Sequence, residues 1–176
     1  TMLRPHLIGP VTYLSLSRTD DDSNPLGLLE KLTDAYAEII AQLGDKGFEW
    51  IQLDEPVLVT DLDEVTLART RQVYEKLAGV AESANTKLWV QTYFGDGDQA
   101  LETLSGTGVQ AIGCDLVAGS SELPRWTGKE LLVAGIVDGR NVWRTDLDAA
   151  LATLEKLAAR GPIAVSTSCS LLHVPY

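Results

Sequence analysis

The sequence predicts an α/β protein of the (β/α)8 TIM-barrel type, present as an incomplete barrel of about six βα units. Three observations carry this reading. Six short apolar runs rich in β-branched or aromatic residues read as strands. Helical spacings lie between them, and no hairpin signal interrupts the alternation. At about 31 residues per βα unit, 176 residues accommodate roughly six of the eight a closed barrel needs. An open doubly wound sheet satisfies the same alternation. However, no GxGxxG or GxxxxGK[ST] follows the first strand, and polar residues gather at the strand ends, where a barrel has its mouth.

The strands are expected in LIGPVTYLSL from Leu7, FEWIQLDEP from Phe48, KLWVQTYFG from Lys87, VQAIGCDLV from Val109, LLVAGIVDG from Leu131 and PIAVSTSCSLL from Pro162. Several are apolar on both alternations, as suits parallel strands covered by helices. The first helix is predicted from Pro25 to Leu43, through Leu28, Leu32, Tyr36 and Ile40, with Asn24 as N-cap and Gly44 as its end. A second is predicted from Asp63 to Ser83 and a third from Asp146 to Arg160, with Gly161 just beyond. Shorter helices are expected at Gly97–Leu104 and Ser121–Gly128.

Composition narrows the function classes. Lys and Arg total 14 against 25 Asp and Glu, a formal charge of −11 with no basic patch. Binding to nucleic acid through its phosphates, or to an anionic membrane surface, is not expected. No apolar run approaches the ~20 residues that cross a bilayer. Two cysteines, Cys114 and Cys169, make no disulfide framework, and both sit in apolar runs where a free Cys is a small buried hydrophobe. That usage fits a reducing, cytoplasmic setting. Thr1 precedes Met2 and the first apolar run follows almost at once, so a piece of a longer protein is expected.

Three constellations carry chemistry in principle. Asp54 and Glu55, in LDEP, are adjacent carboxylates at a strand end, able to divide acid and base duties if their environments differ. Successive strand residues point to opposite sides, so at most one faces the barrel axis, and the plainer reading is one carboxylate bonding loop amides. Asp138, Arg140 and Asn141 form a polar turn around Gly139, expected to supply a positive φ. That turn could grip a small anion. Alternatively, Arg140 and Arg144 hold loops through Asp138 and Asp146. Cys169 and His173 lie four apart, but a zinc site needs more ligands and only His6 and Cys114 remain. The plainer reading buries Cys169 and bonds His173 to a loop. Trp50, Trp89, Trp126 and Trp143 are expected as core or rim packing. Two functional alternatives follow. A free-standing small barrel enzyme would use Asp54 or Glu55 with Asp115 and His173. A non-enzymatic binding module would grip a small anion through Arg140 and Asn141.

Taken together, LIGPVTYLSLSR, WIQLDEPVLV, TYFG, GCDLVAG, LVAGIVDGRNVWRTDL and STSCSLLHVPY resemble the N-terminal barrel of the cobalamin-independent methionine synthases. The resemblance runs in order over essentially the whole chain, and GRNVWR followed by SCSLLHVP is its most specific part. It implies that residues 1–176 are a partial N-terminal barrel of a larger two-barrel protein. That protein would move a methyl group from 5-methyltetrahydropteroyl-polyglutamate to homocysteine. It also implies that zinc sits in the C-terminal barrel, on a His-x-Cys pair, a Glu and a later Cys. No His-x-Cys occurs here, and Cys169 looks like a relic of the later Cys if the barrels arose by duplication. The family's basic residues for the glutamate tail lie upstream of this segment, so none is carried over. The resemblance therefore implies a scaffold without catalytic residues or cofactor, with the parent's C-terminal barrel as partner. Free sheet edges left by missing strands predict that the isolated piece dimerises.

Overall fold

The computed structural model describes residues 3–21 and 23–173. Six parallel strands form one open sheet in sequential order: β1 (His6–Ile8), β2 (Trp50–Asp54), β3 (Lys87–Gln91), β4 (Ala111–Asp115), β5 (Leu131–Val137) and β6 (Ile163–Thr167). The helices are α1 (Pro10–Ser15), α2 (Leu29–Asp45), α3 (Glu64–Ser83), α4 (Asp98–Leu104) and α5 (Leu147–Ala158). This is the expected α/β architecture of about six units.

Register explains why the sheet has two unlike faces. Leu7, Leu53, Val90, Ile112, Leu132 and Ile163 stand opposite one another across all six strands. This continuous apolar row packs against the helices, and its four central members have no exposed surface. Each fully buried side chain of this kind contributes about 1.5–3 kcal/mol. On the other face His6, Gln52 and Trp89 align with Ala111 and Leu131, so that row is polar or amphipathic on β1–β3 and apolar on β4 and β5.

The caps follow from sequence. Asp63 caps α3 by accepting from Thr66 at 2.6 Å and Asp146 caps α5 by accepting from Ala149 at 3.1 Å, whereas Asn24, accepting from the Leu26 amide at 3.0 Å, caps a 3-10 turn over Pro25–Leu28 that leads into α2, not the expected α-helix itself. Helices α2 and α3 bury Tyr36 and Ile40, and Tyr74 and Leu77, respectively. Among the described residues no helix is long and apolar enough to cross a membrane.

Four expectations change. The run from Leu7 is strand only to Ile8. Pro10 then opens α1, because proline is preset for the first helical position. Ser121–Gly128 is not helical: Leu123 has φ +42° immediately before Pro124, and Gly128 has φ +77°. Helix α2 runs past Gly44 to Asp45, and the left-handed residue after it is Gly47. Gly139 does not have positive φ; it is small because a Cβ there would lie 2.7 Å from the Cys169 carbonyl oxygen.

Candidate functional site

Polar residues on alternate positions of β1, β2 and β3 share the face away from the helices, where they line a cleft of about 1040 Å³. At its centre Asp54, 6% exposed, receives His6 Nε2 on Oδ2 at 2.7 Å and Gln52 Nε2 on Oδ1 at 2.7 Å. Tyr93 also hydrogen-bonds Asp54. Burial, then the nearby Asp54 charge, pushes the phenol up to about 12, so it stays a donor at neutral pH. On the neighbouring strand Trp89 Nε1 donates to Gln91 Oε1 at 2.9 Å, and Gln91 Nε2 donates to the Thr92 carbonyl at 2.7 Å. The Arg4 guanidinium lies 3.8 Å above the Trp89 ring centre, and Lys87 Nζ 5.2 Å from that of Trp50. Among the described residues, the one buried side-chain polar atom without a partner is Thr86 Oγ1, which lies between α3 and β3.

Glu55 points the other way, as strand alternation requires. Fully buried, it accepts from the Val11 amide at 3.0 Å, the Thr12 amide at 2.7 Å and Tyr74 OH at 2.8 Å, tying the start of α1 to α3. Burial pushes its carboxyl up, and the three donors pull it back. Asp115 is also spent on backbone: it accepts from Phe94 at 3.1 Å, Val117 at 2.9 Å and Ala118 at 2.8 Å. The first of these holds Phe94 at φ +74°, a conformation non-glycine residues rarely adopt.

After β5, Asp138 accepts from the Arg140 amide at 2.8 Å and from Asn141 Nδ2, while Asn141 Oδ1 accepts from the Trp143 amide at 2.9 Å. The Arg140 guanidinium lies 5.2 Å from the Phe94 ring centre. Among the described residues no ion pair joins Arg140 or Arg144 to Asp138 or Asp146, so the loop is held by amides and not by the expected arginine contacts. Trp126 is core and Trp50 and Trp89 line the cleft, but Trp143 stands in solvent, against expectation. The His173 side chain lies outside the described residues.

Of the described candidates Asp54, Glu55, Asp115, Asp138, Arg140 and Asn141, only Asp54 enters a side-chain cluster on the cleft. Of its companions, the sequence weighs His6 only as a metal ligand and does not single out Gln52, Gln91, Tyr93 or Arg4. The available signal was the two-residue spacing of Gln52 with Asp54 and of Trp89 with Gln91.

Among the described residues a zinc site finds no donor set. Cys114 faces the helix side beside Gly97, and burial pushes its thiol up to about 12, whereas metal ligation needs a thiolate. Cys169 lies beside Gly139, and burial raises its thiol too. Among the described residues no three His, Cys, Asp or Glu side chains converge to hold a metal ion.

Residues 1–162 match the family described as cobalamin-independent synthase, N-terminal domain. The chain is 59% identical over 175 residues to a 5-methyltetrahydropteroyltriglutamate–homocysteine methyltransferase of Corynebacterium efficiens, covering 99% of this chain and 22% of the relative. A protein of the same name from Mycobacterium tuberculosis is 50% identical over 179 residues, covering 98% of this chain and 23% of the relative. The chain thus spans between a fifth and a quarter of the length of these relatives. Among solved structures, a B12-independent methionine synthase from Shewanella superposes with a TM-score of 0.79 at 18% identity, over 98% of this chain and 56% of that one. A zinc-bound IOLI protein superposes with a TM-score of 0.59 at 14% identity, over 97% and 69%. At those identities the two structures speak for the fold. The sequence match extends from Thr1 through α5 and takes in the LDEP strand end and the GRNVWR loop: the chain belongs to the N-terminal domain family of the cobalamin-independent synthases.

Proposed function

We propose that this chain is part of the N-terminal barrel of a two-barrel methyltransferase, and that it serves there as scaffold. The whole enzyme would transfer the methyl group of 5-methyltetrahydropteroyl-polyglutamate to homocysteine in the cytoplasm, making methionine. The observation that carries the reading is the 59% identity over essentially the full chain to a methyltransferase so named. The geometry supports a scaffold role. Asp54, Glu55 and Asp115 are all committed to hydrogen bonds within the fold, and no metal-ligand set forms among the described residues. Zinc, which activates the homocysteine thiol by favouring its thiolate, belongs on this reading to the C-terminal barrel of the longer protein. In isolation the piece presents free edges on β1 and β6, with Ile8 and Val165 exposed on them, and such edges favour a homodimer.

A chimera tests the proposal. This chain replaces the matching segment of the Corynebacterium efficiens relative, and methionine formation from homocysteine and methyltetrahydropteroyl-triglutamate is measured. The chimera is expected to turn over and to rescue a methionine auxotroph, while this chain alone does neither. A folded, zinc-loaded chimera that makes no methionine would overturn the reading, as would turnover by the isolated chain. Light scattering on the isolated chain is expected to give twice the chain mass at high concentration; a monomer would remove the dimer.

A further inference from the structure

Closed barrels fill their lumen with side chains, mostly Val, Ile and Leu. Along β1–β3 and the residues leading into β1, this chain instead lines its inner face with Arg4, His6, Gln52, Asp54, Trp89 and Gln91. Most of these groups answer one another. Asp54 is occupied by His6, Gln52 and Tyr93, and the Trp89 indole N–H by Gln91.

Arg4 is the exception. Its side chain reaches from the start of β1 across to β3, where the guanidinium lies 3.8 Å above the Trp89 ring centre. It makes no ion pair among the described residues, and Asp54 attracts it only from beyond ion-pair distance. With the sheet open, Arg4 reaches solvent, yet partial burial already disfavours its charge by more than Asp54 supports it. The sheet ends at β1 and β6, and the chain spans 22% of its Corynebacterium relative. Strands bridging those two edges would close the lumen over the guanidinium and strip its remaining water. A guanidinium keeps its proton in a protein, and a charge desolvated without a counter-charge is costly, so closure calls for an anion there. A carboxylate matches the forked donors. One carried on the same polypeptide arrives at high effective concentration, whereas a free anion must be captured from solution.

We propose that Arg4 is one half of an ion pair inside the closed barrel, the other half being an Asp or Glu side chain on a strand that bridges β1 and β6 in the longer polypeptide. This rests on the reading that the chain is part of a longer barrel protein, but its test does not use activity. A crystal structure of the full-length chimera is expected to place a carboxylate oxygen from outside residues 1–176 within about 4 Å of the Arg4 guanidinium. Arg4→Glu is expected to lower the urea midpoint of the chimera by about 1 M, since breaking a buried pair orphans its partner, and Arg4→Lys to lower it far less. Exchanging the two charges, with lysine in place of the partner carboxylate beside Arg4→Glu, is expected to recover most of the loss. A free phosphate or sulfate on Arg4, contact with Asp54 instead, or water alone would overturn the proposal. So would a charge exchange that recovers nothing. If the pair is seen in a chimera that makes no methionine, the pairing stands and the methyltransferase reading fails; methionine formation by a chimera without the pair has the reverse meaning.

Discussion

Glu55 is a fully buried carboxyl that ties two backbone amides of α1 to a tyrosine hydroxyl of α3, and removing it gives a prediction with a defined size. Its oxygens accept from the Val11 and Thr12 amides and from Tyr74 OH, in a place with no exposed surface. Glu55→Gln keeps the shape but turns one oxygen into a donor, so at least one of the three meets an N–H instead of an acceptor. A buried donor left without a partner costs about 1–3 kcal/mol. Glu55→Ala strands all three and leaves a cavity, which raises the expected loss to about 3–5 kcal/mol. With a urea slope of about 2 kcal/mol per M, the midpoint of tryptophan-monitored unfolding should fall by about 0.5–1.5 M for Gln and by more for Ala. Glu155→Gln, on the exposed side of α5, serves as control and should be neutral. A Glu55→Gln midpoint indistinguishable from that of the Glu155 control would refute the claim that this carboxyl clamps α1 to α3.

The remaining predictions draw on the same geometry. Burial raises the Glu55 carboxyl above its ordinary 4.5, so the native state holds the proton to higher pH than the unfolded chain. Stability from this group is present below 4.5 and is lost as pH rises through the higher native value, so the Glu55→Gln penalty in urea should shrink as pH rises above 4.5; a growing penalty would reverse the assignment. Gly113→Ala places a Cβ 1.8 Å from Gln91 Oε1, which must move and release Trp89 Nε1. The expected cost is about 1–3 kcal/mol, with a changed Trp89 emission, and an unchanged melting temperature would count against the packing described. The Cys114 thiol, pushed up to about 12 by burial, should resist iodoacetamide in the native protein at neutral pH and react only after unfolding. Rapid native labelling at Cys114 would show that the β4–α4 side opens readily.

The alternation of strands and helices, the Asp63 and Asp146 caps and the burial of both cysteines were legible because local propensity and apolar spacing state them directly. Pro10 and Pro124 were legible in principle. Each limits backbone angles strongly enough to end a strand or forbid a helix, and an apolar run alone hides that constraint. The two-sided fate of LDEP was half legible. Alternation required Asp54 and Glu55 to part, but only parallel pairing of β1, β2 and β3 in this register decided their partners.

By itself the sequence determined the α/β class, the number of units, the acidic surface and the family, because each depends on residue order or on sums over the chain. Tertiary structure decided that Asp54 gathers His6 and Tyr93, that Glu55 fixes α1, and that Trp143 stands outside the core. Those outcomes join residues dozens of positions apart, or depend on which face a loop presents. Sheet register and the close approach of one backbone to another set them, and no local pattern encodes either.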